Sequence, residues 1–263
     1  MMIVKRYYKE IVLIAVFIIT VVVLSFIQPI AQDLAYHNFS DFRSYFGIPY
    51  FLDVVSNLPF LIIGAMGWQL TNKIYRKTTM IYFLMTFILF TGIFFTGVGS
   101  AFYHYAPNNF TLIFDRLPMT LVFTSFFATI IYDYVGSRVG TMAFYSLIIL
   151  GVYSIFYWYY TEITGVGDLR LYAFIQFFPI VAVPFILIFY KNKKLYTKQL
   201  FLVFFAYLIS KLTEHYDVAI FEFFKVISGH TIKHLFSALA AYFIYRIHLK
   251  AYQTRILKNT IKG

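Results

Sequence analysis

Long apolar runs separated by short polar stretches dominate the chain. A run of about 20 residues is long enough to cross a hydrocarbon layer of roughly 30 Å. On that measure the pattern predicts eight helices, at approximately 10–30, 50–71, 81–104, 111–133, 140–160, 171–190, 199–220 and 231–250. The runs are continuous rather than alternating, which argues against a membrane barrel. Backbone groups in lipid must be satisfied within their own segment, so helices are the default. The expected fold class is an all-α, polytopic membrane helix bundle. The first run follows Lys5, Arg6 and Lys9, as a signal peptide would. Its apolar stretch from Ile11 to Ile27 is longer than a signal core and no A-x-A site follows, so it reads as a retained anchor helix.

Composition agrees with a membrane protein. Of 263 residues, 61% are hydrophobic and 13% charged, more apolar than a soluble domain of this length requires. The net charge of +11 could suggest nucleic acid, but the basic residues lie in short clusters between apolar runs. Lys5, Arg6 and Lys9 precede the first run; Lys73, Arg76 and Lys77 follow the second; Arg138 follows the fourth. Lys191, Lys193, Lys194 and Lys198 follow the sixth, and Arg246, Lys250, Arg255, Lys258 and Lys262 close the chain. The alternate connections carry only Arg43, Arg170 and Lys225. The positive-inside rule then puts both termini in the cytoplasm. His104, Asp115, His230 and His234 consequently fall together at the extracytoplasmic end. The chain has no cysteine, so disulfides and thiolate metal sites are excluded and a metal would rest on imidazole and carboxylate.

Those polar residues suggest a chemistry. Ser100 and His104 are four apart, on one helix face. Asp115 follows after a short Pro-Asn-Asn connection, at the start of the next helix. His230 and His234 share a face in HTIKH, with Ser228 placed to cap their helix. Three imidazoles with an open fourth position describe a catalytic zinc site. Asp115 could bind the metal, orient a ligand or exchange protons with water. Taken singly, Asp115 is also an ordinary carboxylate at a helix N-terminus and His104 an ordinary interfacial histidine; their common depth favours a shared centre. Lys233 is expected to point elsewhere and reach toward headgroups. Lys211, Glu214 and Asp217 are spaced for a buried ion pair that fixes helix packing, or for a proton path in a transporter. Asn57 and Gln176 are candidates for bonds between helices, and His37 reads as a solvated loop residue.

Several ordered motifs then carry a resemblance: DVVSNLPFLIIG at 53–64, GVGSAFYH at 97–104, DRLPM at 115–119, GDLRLYAFIQFFP at 167–179 and SGHTIKH at 228–234. Together they resemble the alkaline ceramidase family, which shares a superfamily of seven-helix membrane hydrolases with the progestin and adiponectin receptor group. The resemblance covers roughly residues 50 to 250 and implies a seven-helix core plus one extra N-terminal transmembrane helix. On that reading 1–30 is the anchor, 31–250 the ceramidase-like domain and 251–263 a basic cytoplasmic tail. It implies zinc held by His104, His230 and His234, Ser100 stabilising an oxyanion and Asp115 handling protons. It implies an integral-membrane hydrolase cleaving the N-acyl amide bond of ceramide or a related N-acyl lipid to a free amine base and a fatty acid. The receptor group offers the alternative of a sensor with a structural zinc. A serine protease built on Ser100 is a further reading, but it has no need of three histidines and an aspartate at one depth. The chain departs from eukaryotic members in lacking their acidic calcium-binding stretch, although Asp33, Asp41 and Asp53 are present. That argues against Ca2+ dependence and weakens the case for ceramide itself. The Ile, Lys, Phe and Tyr bias suits an AT-rich bacterium, hence a bacterial inner membrane.

Overall fold

Helices form where the apolar runs predict them, with breaks where the polar residues of the candidate site intrude. The computed structural model describes residues 2–190 and 196–260, with side chains for 8–190 and 196–254. Among these residues the order is α1 Met2–Phe26, α2 Phe51–Val55, α3 Leu58–Ile74, α4 Met80–Tyr105, α5 Asn109–Tyr134, α6 Ser137–Ile163, α7 Arg170–Phe189, α8 Thr197–His215, α9 Asp217–Phe224 and α10 Gly229–Thr260. The nearest thing to a strand among them is an isolated bridge between Tyr45 and Ile48. The fold is an all-α, multi-pass membrane bundle. Lys191, Lys193, Lys194 and Lys262, which contribute to the topology reading, lie outside the described residues, as do the side chains of Lys5, Arg6, Arg255 and Lys258.

Six stretches among the described residues are long and apolar enough to cross a membrane: Tyr8–Phe26, Phe51–Lys77, Met80–Tyr105, Asn109–Tyr134, Ser137–Ile163 and Arg170–Phe189. The predicted spans at 199–220 and 231–250 do not join them. Lys198, Lys211 and Glu214 dilute the first, and His230, Lys233, His234 and Arg246 the second. Two predicted spans are also interrupted. The run at 50–71 breaks at Ser56 and Asn57, because Pro59 follows and cannot donate a backbone hydrogen bond to Val55. The run at 199–220 breaks at Tyr216, where α8 ends and α9 begins.

The chain divides into two compact units. One takes the described residues of Met1–Gln32 and Phe123–Lys193, hence α1, the second half of α5, α6 and α7. There Phe17 of α1 meets Phe174 and Phe178 edge-on at 5.8 and 5.7 Å. The segment after α1 is tied to the α6–α7 connection: Arg170 donates to the Ile27 carbonyl at 2.7 Å and the Gln32 N–H to Glu162 at 2.6 Å. Arg170 also forks onto Asp168, 2.8 Å between Nη2 and Oδ2, and holds that carboxyl below the usual carboxylate range.

The other unit takes Asp33–Val122 and the described residues of Lys194–Gly263. Its main seams are α3 on α4 and α8 on α10, with α10 also against α3. Two glycines set close approaches beside the candidate site. A β-carbon on Gly229 would run into the Thr213 carbonyl and the Asp217 backbone, so only glycine lets the start of α10 press on the end of α8. A β-carbon on Gly99 would run into the Phe114 carbonyl. That carbonyl has lost its helical partner, because the residue four ahead is Pro118. The opened turn of α5 thus meets a residue of α4 without a side chain, next to Ser100 and Asp115.

Candidate metal centre

The site is built from helix ends within the second unit. His104 sits in the last turn of α4 and His230 and His234 in the first two turns of α10. Ser228 caps α10, its Oγ accepting the Thr231 N–H at 2.9 Å. Asp217 adds a second anchor, accepting the His230 N–H at 2.7 Å and the Ser40 hydroxyl at 2.6 Å. A carboxylate at that end complements the helix dipole. Asn108 caps α5 by accepting the N–H groups of Phe110 and Thr111, at 2.9 and 3.0 Å, and so fixes the helix that carries Asp115.

These anchors bring the three histidines together. All are buried, with relative exposures of 1%, 4% and 3% for His104, His230 and His234. One nitrogen from each falls within 4.8 Å of the others, positioned to hold a metal ion. Four nitrogens arranged tetrahedrally around zinc sit about 3.3–3.4 Å apart, and Nε2 of His104 lies 3.3 Å from Nε2 of His230. Buried Nε2 of His234 has no hydrogen-bond partner. Its other nitrogen explains why. The Ser56 hydroxyl donates to the Asp53 carbonyl at 3.1 Å, which leaves its oxygen to accept the Nδ1–H of His234 at 2.7 Å. This assignment of the proton leaves the Nε2 lone pair facing the other two imidazoles. An orphaned buried acceptor among three neutral imidazoles fits a divalent ion of borderline softness, and zinc is compatible.

The surroundings supply orientation. The Phe39 ring lies 4.5 Å from the His104 ring and 4.6 Å from His230, both edge-on. Asp53, fully buried, accepts from Thr231 at 2.6 Å and Ser228 at 3.2 Å and ties α2 to the start of α10. Ser100 hydrogen-bonds Asp115, and both are buried. The predicted set of Ser100, His104, Asp115, His230 and His234 thus lies within one unit, with the histidines in one cluster and the Ser100–Asp115 pair on the adjoining turns of α4 and α5.

Two expectations are corrected. Lys233 does not reach outward. Its side chain is 12% exposed, its Nζ lies 2.7 Å from Glu214 Oε1 and 3.3 Å from His230 Nε2. Glu214 gives its other oxygen to Lys211 at 2.6 Å, so the ion pair expected from KLTEHYD is a bridge from α8 to α10. His37 is engaged rather than simply solvated: Tyr103 Oη and Asn109 Oδ1 each lie 2.9 Å from one of its nitrogens. The three aspartates weighed for calcium go to separate tasks. Asp33 caps a single 3-10 turn, Asp41 pairs with Arg43 at 2.6 Å, and Asp53 holds α10. Phe39 and Ser56 escaped sequence reasoning. Ser56 carried a weak signal, as one of two adjacent polar residues inside an apolar run just before a proline. Phe39 carried none in a chain with 33 phenylalanines.

Comparison of the chain with family models, curated proteins and solved structures returned no match.

Proposed function

We propose that this chain is a zinc-dependent intramembrane amidohydrolase that cleaves the N-acyl amide bond of ceramide or a related N-acyl lipid, as the alkaline ceramidase family does. The observation that carries the reading is the buried three-histidine cluster with Ser100 and Asp115 on the adjoining turns. A zinc ion bound there would supply Lewis acidity and a water acidic enough to ionise near neutral pH. His104, His230 and His234 would hold it.

Asp115 accepts one proton of the attacking water as its oxygen bonds to the amide carbonyl carbon and the carbonyl electron pair moves onto oxygen. Ser100 hydrogen-bonds the Asp115 carboxyl group, and its hydroxyl donates whenever Asp115 is ionised. Once Asp115 is protonated it becomes a donor itself, and the Ser100 hydroxyl is released to turn to the developing oxyanion. One such donor is typically worth about 3 kcal/mol. The carbon–nitrogen bond then breaks and Asp115 returns its proton to the leaving amine. The acid so formed passes its proton to the amine, giving carboxylate and ammonium. Ser100 pairs with a carboxyl group rather than with the imidazole base of a Ser-His-Asp triad, which favours this reading over a serine protease of that kind. We place both termini in the cytoplasm and the site on the extracytoplasmic side, in keeping with the basic clusters.

The test is hydrolysis of a short-chain fluorescent ceramide by purified, zinc-loaded protein with and without chelator, extended to a mixed N-acyl lipid extract read by mass spectrometry. Chelator-sensitive release of amine and fatty acid is expected. One bound zinc with no turnover of any N-acyl lipid would refute the hydrolase and favour a sensor with structural zinc.

A further inference from the structure

Lys233 has no task in the mechanism above, yet it borders the histidine cluster. Its Nζ is 3.3 Å from Nε2 of His230, the same nitrogen that lies 3.3 Å from His104 Nε2. An ammonium carries three donors. One is spent on Glu214 at 2.7 Å. A second points at the His230 lone pair, and is released when that lone pair is used by a metal. Glu214 holds the lysine in place and is itself shared: Oε2 takes Lys211 at 2.6 Å, and the Tyr36 hydroxyl donates to Oε1 at 3.3 Å. The stem therefore has little freedom to swing away.

The charge balance points the same way. Lys211 and Lys233 surround Glu214, and Asp115 interacts with both Lys233 and Arg116. Asp217 and Asp53 at the start of α10 add two more carboxylates, so three cations and a divalent ion stand against four carboxylates, and the neutral imidazoles leave the loaded centre with one net positive charge. Like charges this close in a low dielectric repel strongly unless an anion lies between them. An ammonium 3.3 Å from a nitrogen of the cluster offers such an anion a charge-assisted donor.

We propose that Lys233, held by Glu214, is the anion-binding residue of this centre, and that its ligand is the acyl carboxylate of a fatty acid. The identity of that ligand rests on the hydrolase reading. The oxygen that becomes negative during amide cleavage remains on the fatty acid as carboxylate, so one cation serves both. Lys233 thereby sets the class of molecule retained: acyl chains ending in an anionic oxygen pair, rather than alcohols or amines of equal length.

The experiment is binding of carboxyl-13C-labelled octanoate, read by its carbonyl chemical shift, to the full chain in nanodiscs, both chelator-stripped and zinc-loaded. Octanoate should bind the zinc-loaded form more tightly than the stripped one, and 1-octanol should not displace it. Lys233→Met should weaken binding about tenfold or more in both forms, the size of one charge-assisted hydrogen bond, while zinc content by mass spectrometry stays at the parent value. Lys233→Arg, which keeps the charge, should retain binding and decides the matter if Lys233→Met fails to hold zinc. Unchanged binding by Lys233→Met, loss of binding by Lys233→Arg, displacement by 1-octanol, or no octanoate binding to the parent each overturns the proposal. Lysine-dependent octanoate binding without ceramide turnover would leave the anion site standing and remove the hydrolase. Turnover with octanoate binding indifferent to Lys233 would do the reverse.

Discussion

Replacing Gly99 with alanine tests the seam that sets Ser100 beside Asp115. The added β-carbon falls on the carbonyl oxygen and carbon of Phe114, with the Asp115 nitrogen at 3.2 Å. These are backbone atoms and have no rotamer to escape into. An ordinary heavy-atom contact is about 3.5 Å, so α4 and α5 must part locally by well over 1 Å. Overpacking of this kind costs about 1–3 kcal/mol, and the upper end applies because no side chain can yield. Removing a glycine from a helix interior returns up to about 1 kcal/mol of that. The effect on rate should be larger, since Asp115 adjoins the displaced carbonyl and a 1 Å misplacement of a reacting group costs about 100-fold. Gly92, two turns earlier on the same seam, is the internal control. Its β-carbon would meet the Pro118 carbonyl at 3.0 Å and side-chain atoms of Val122 and Leu121 at 3.0 and 3.1 Å, and two of those three can shift. Gly92→Ala should therefore cost under about 1 kcal/mol and change the rate less than about tenfold. The assay is thermal unfolding of the solubilised protein, zinc content and short-chain ceramide hydrolysis, measured on both variants together. Parent-like melting and turnover in Gly99→Ala, or greater damage from Gly92→Ala, would refute the argument that this close approach aligns the pair.

Five further variants have expected outcomes. His230→Ala should lose both zinc and turnover, whereas Asp115→Asn should keep zinc and lose turnover; loss of zinc in the second variant makes Asp115 a ligand rather than a proton carrier. Ser56→Ala removes the acceptor that fixes the His234 tautomer, and zinc affinity in a chelator competition should fall by about 10–100-fold. The chain has no cysteine, so a single cysteine in place of the exposed Ala106, just past His104, should react with a membrane-impermeant thiol reagent from outside, and protection there overturns the topology. Asp168→Asn should lower the melting temperature at neutral pH. Because Arg170 depresses the Asp168 pKa, this stabilisation is complete above the unfolded value of about 4 and is lost as pH falls through the lower folded one; the gap between variant and parent should therefore close in acid.

The parts of the fold legible in the sequence were those with a repeating signal. Uninterrupted apolar runs located α1 and α3 to α7, and the i, i+4 spacings of Ser100 with His104 and of His230 with His234 gave their shared faces. Ser228 read correctly as the α10 cap because its position before HTIKH is a local property. What failed was non-local. The direction of Lys233 depends on Glu214, nineteen positions earlier on another helix; on its own helix the neighbouring His234 suggested that it faces away, although its i, i+3 spacing from His230 was a local sign to the contrary. The break at Ser56 and Asn57 was hidden inside an apolar run, although Pro59 could have disclosed it. The partnership of Phe39 with two imidazoles depends on how a loop folds back, and an aromatic residue in an aromatic-rich chain announces nothing about that.

The paired imidazoles His104 and His230 are 126 positions apart in the chain. A nascent polypeptide that has inserted only its earlier helices owns a single member of the trio and cannot capture an ion. Loading must await the arrival of α10, when Ser228 and Asp217 organise its first turn. An ion taken up at this cluster would follow the insertion of α10 and join distant segments much as a cross-link would, in a sequence that contains no cysteine.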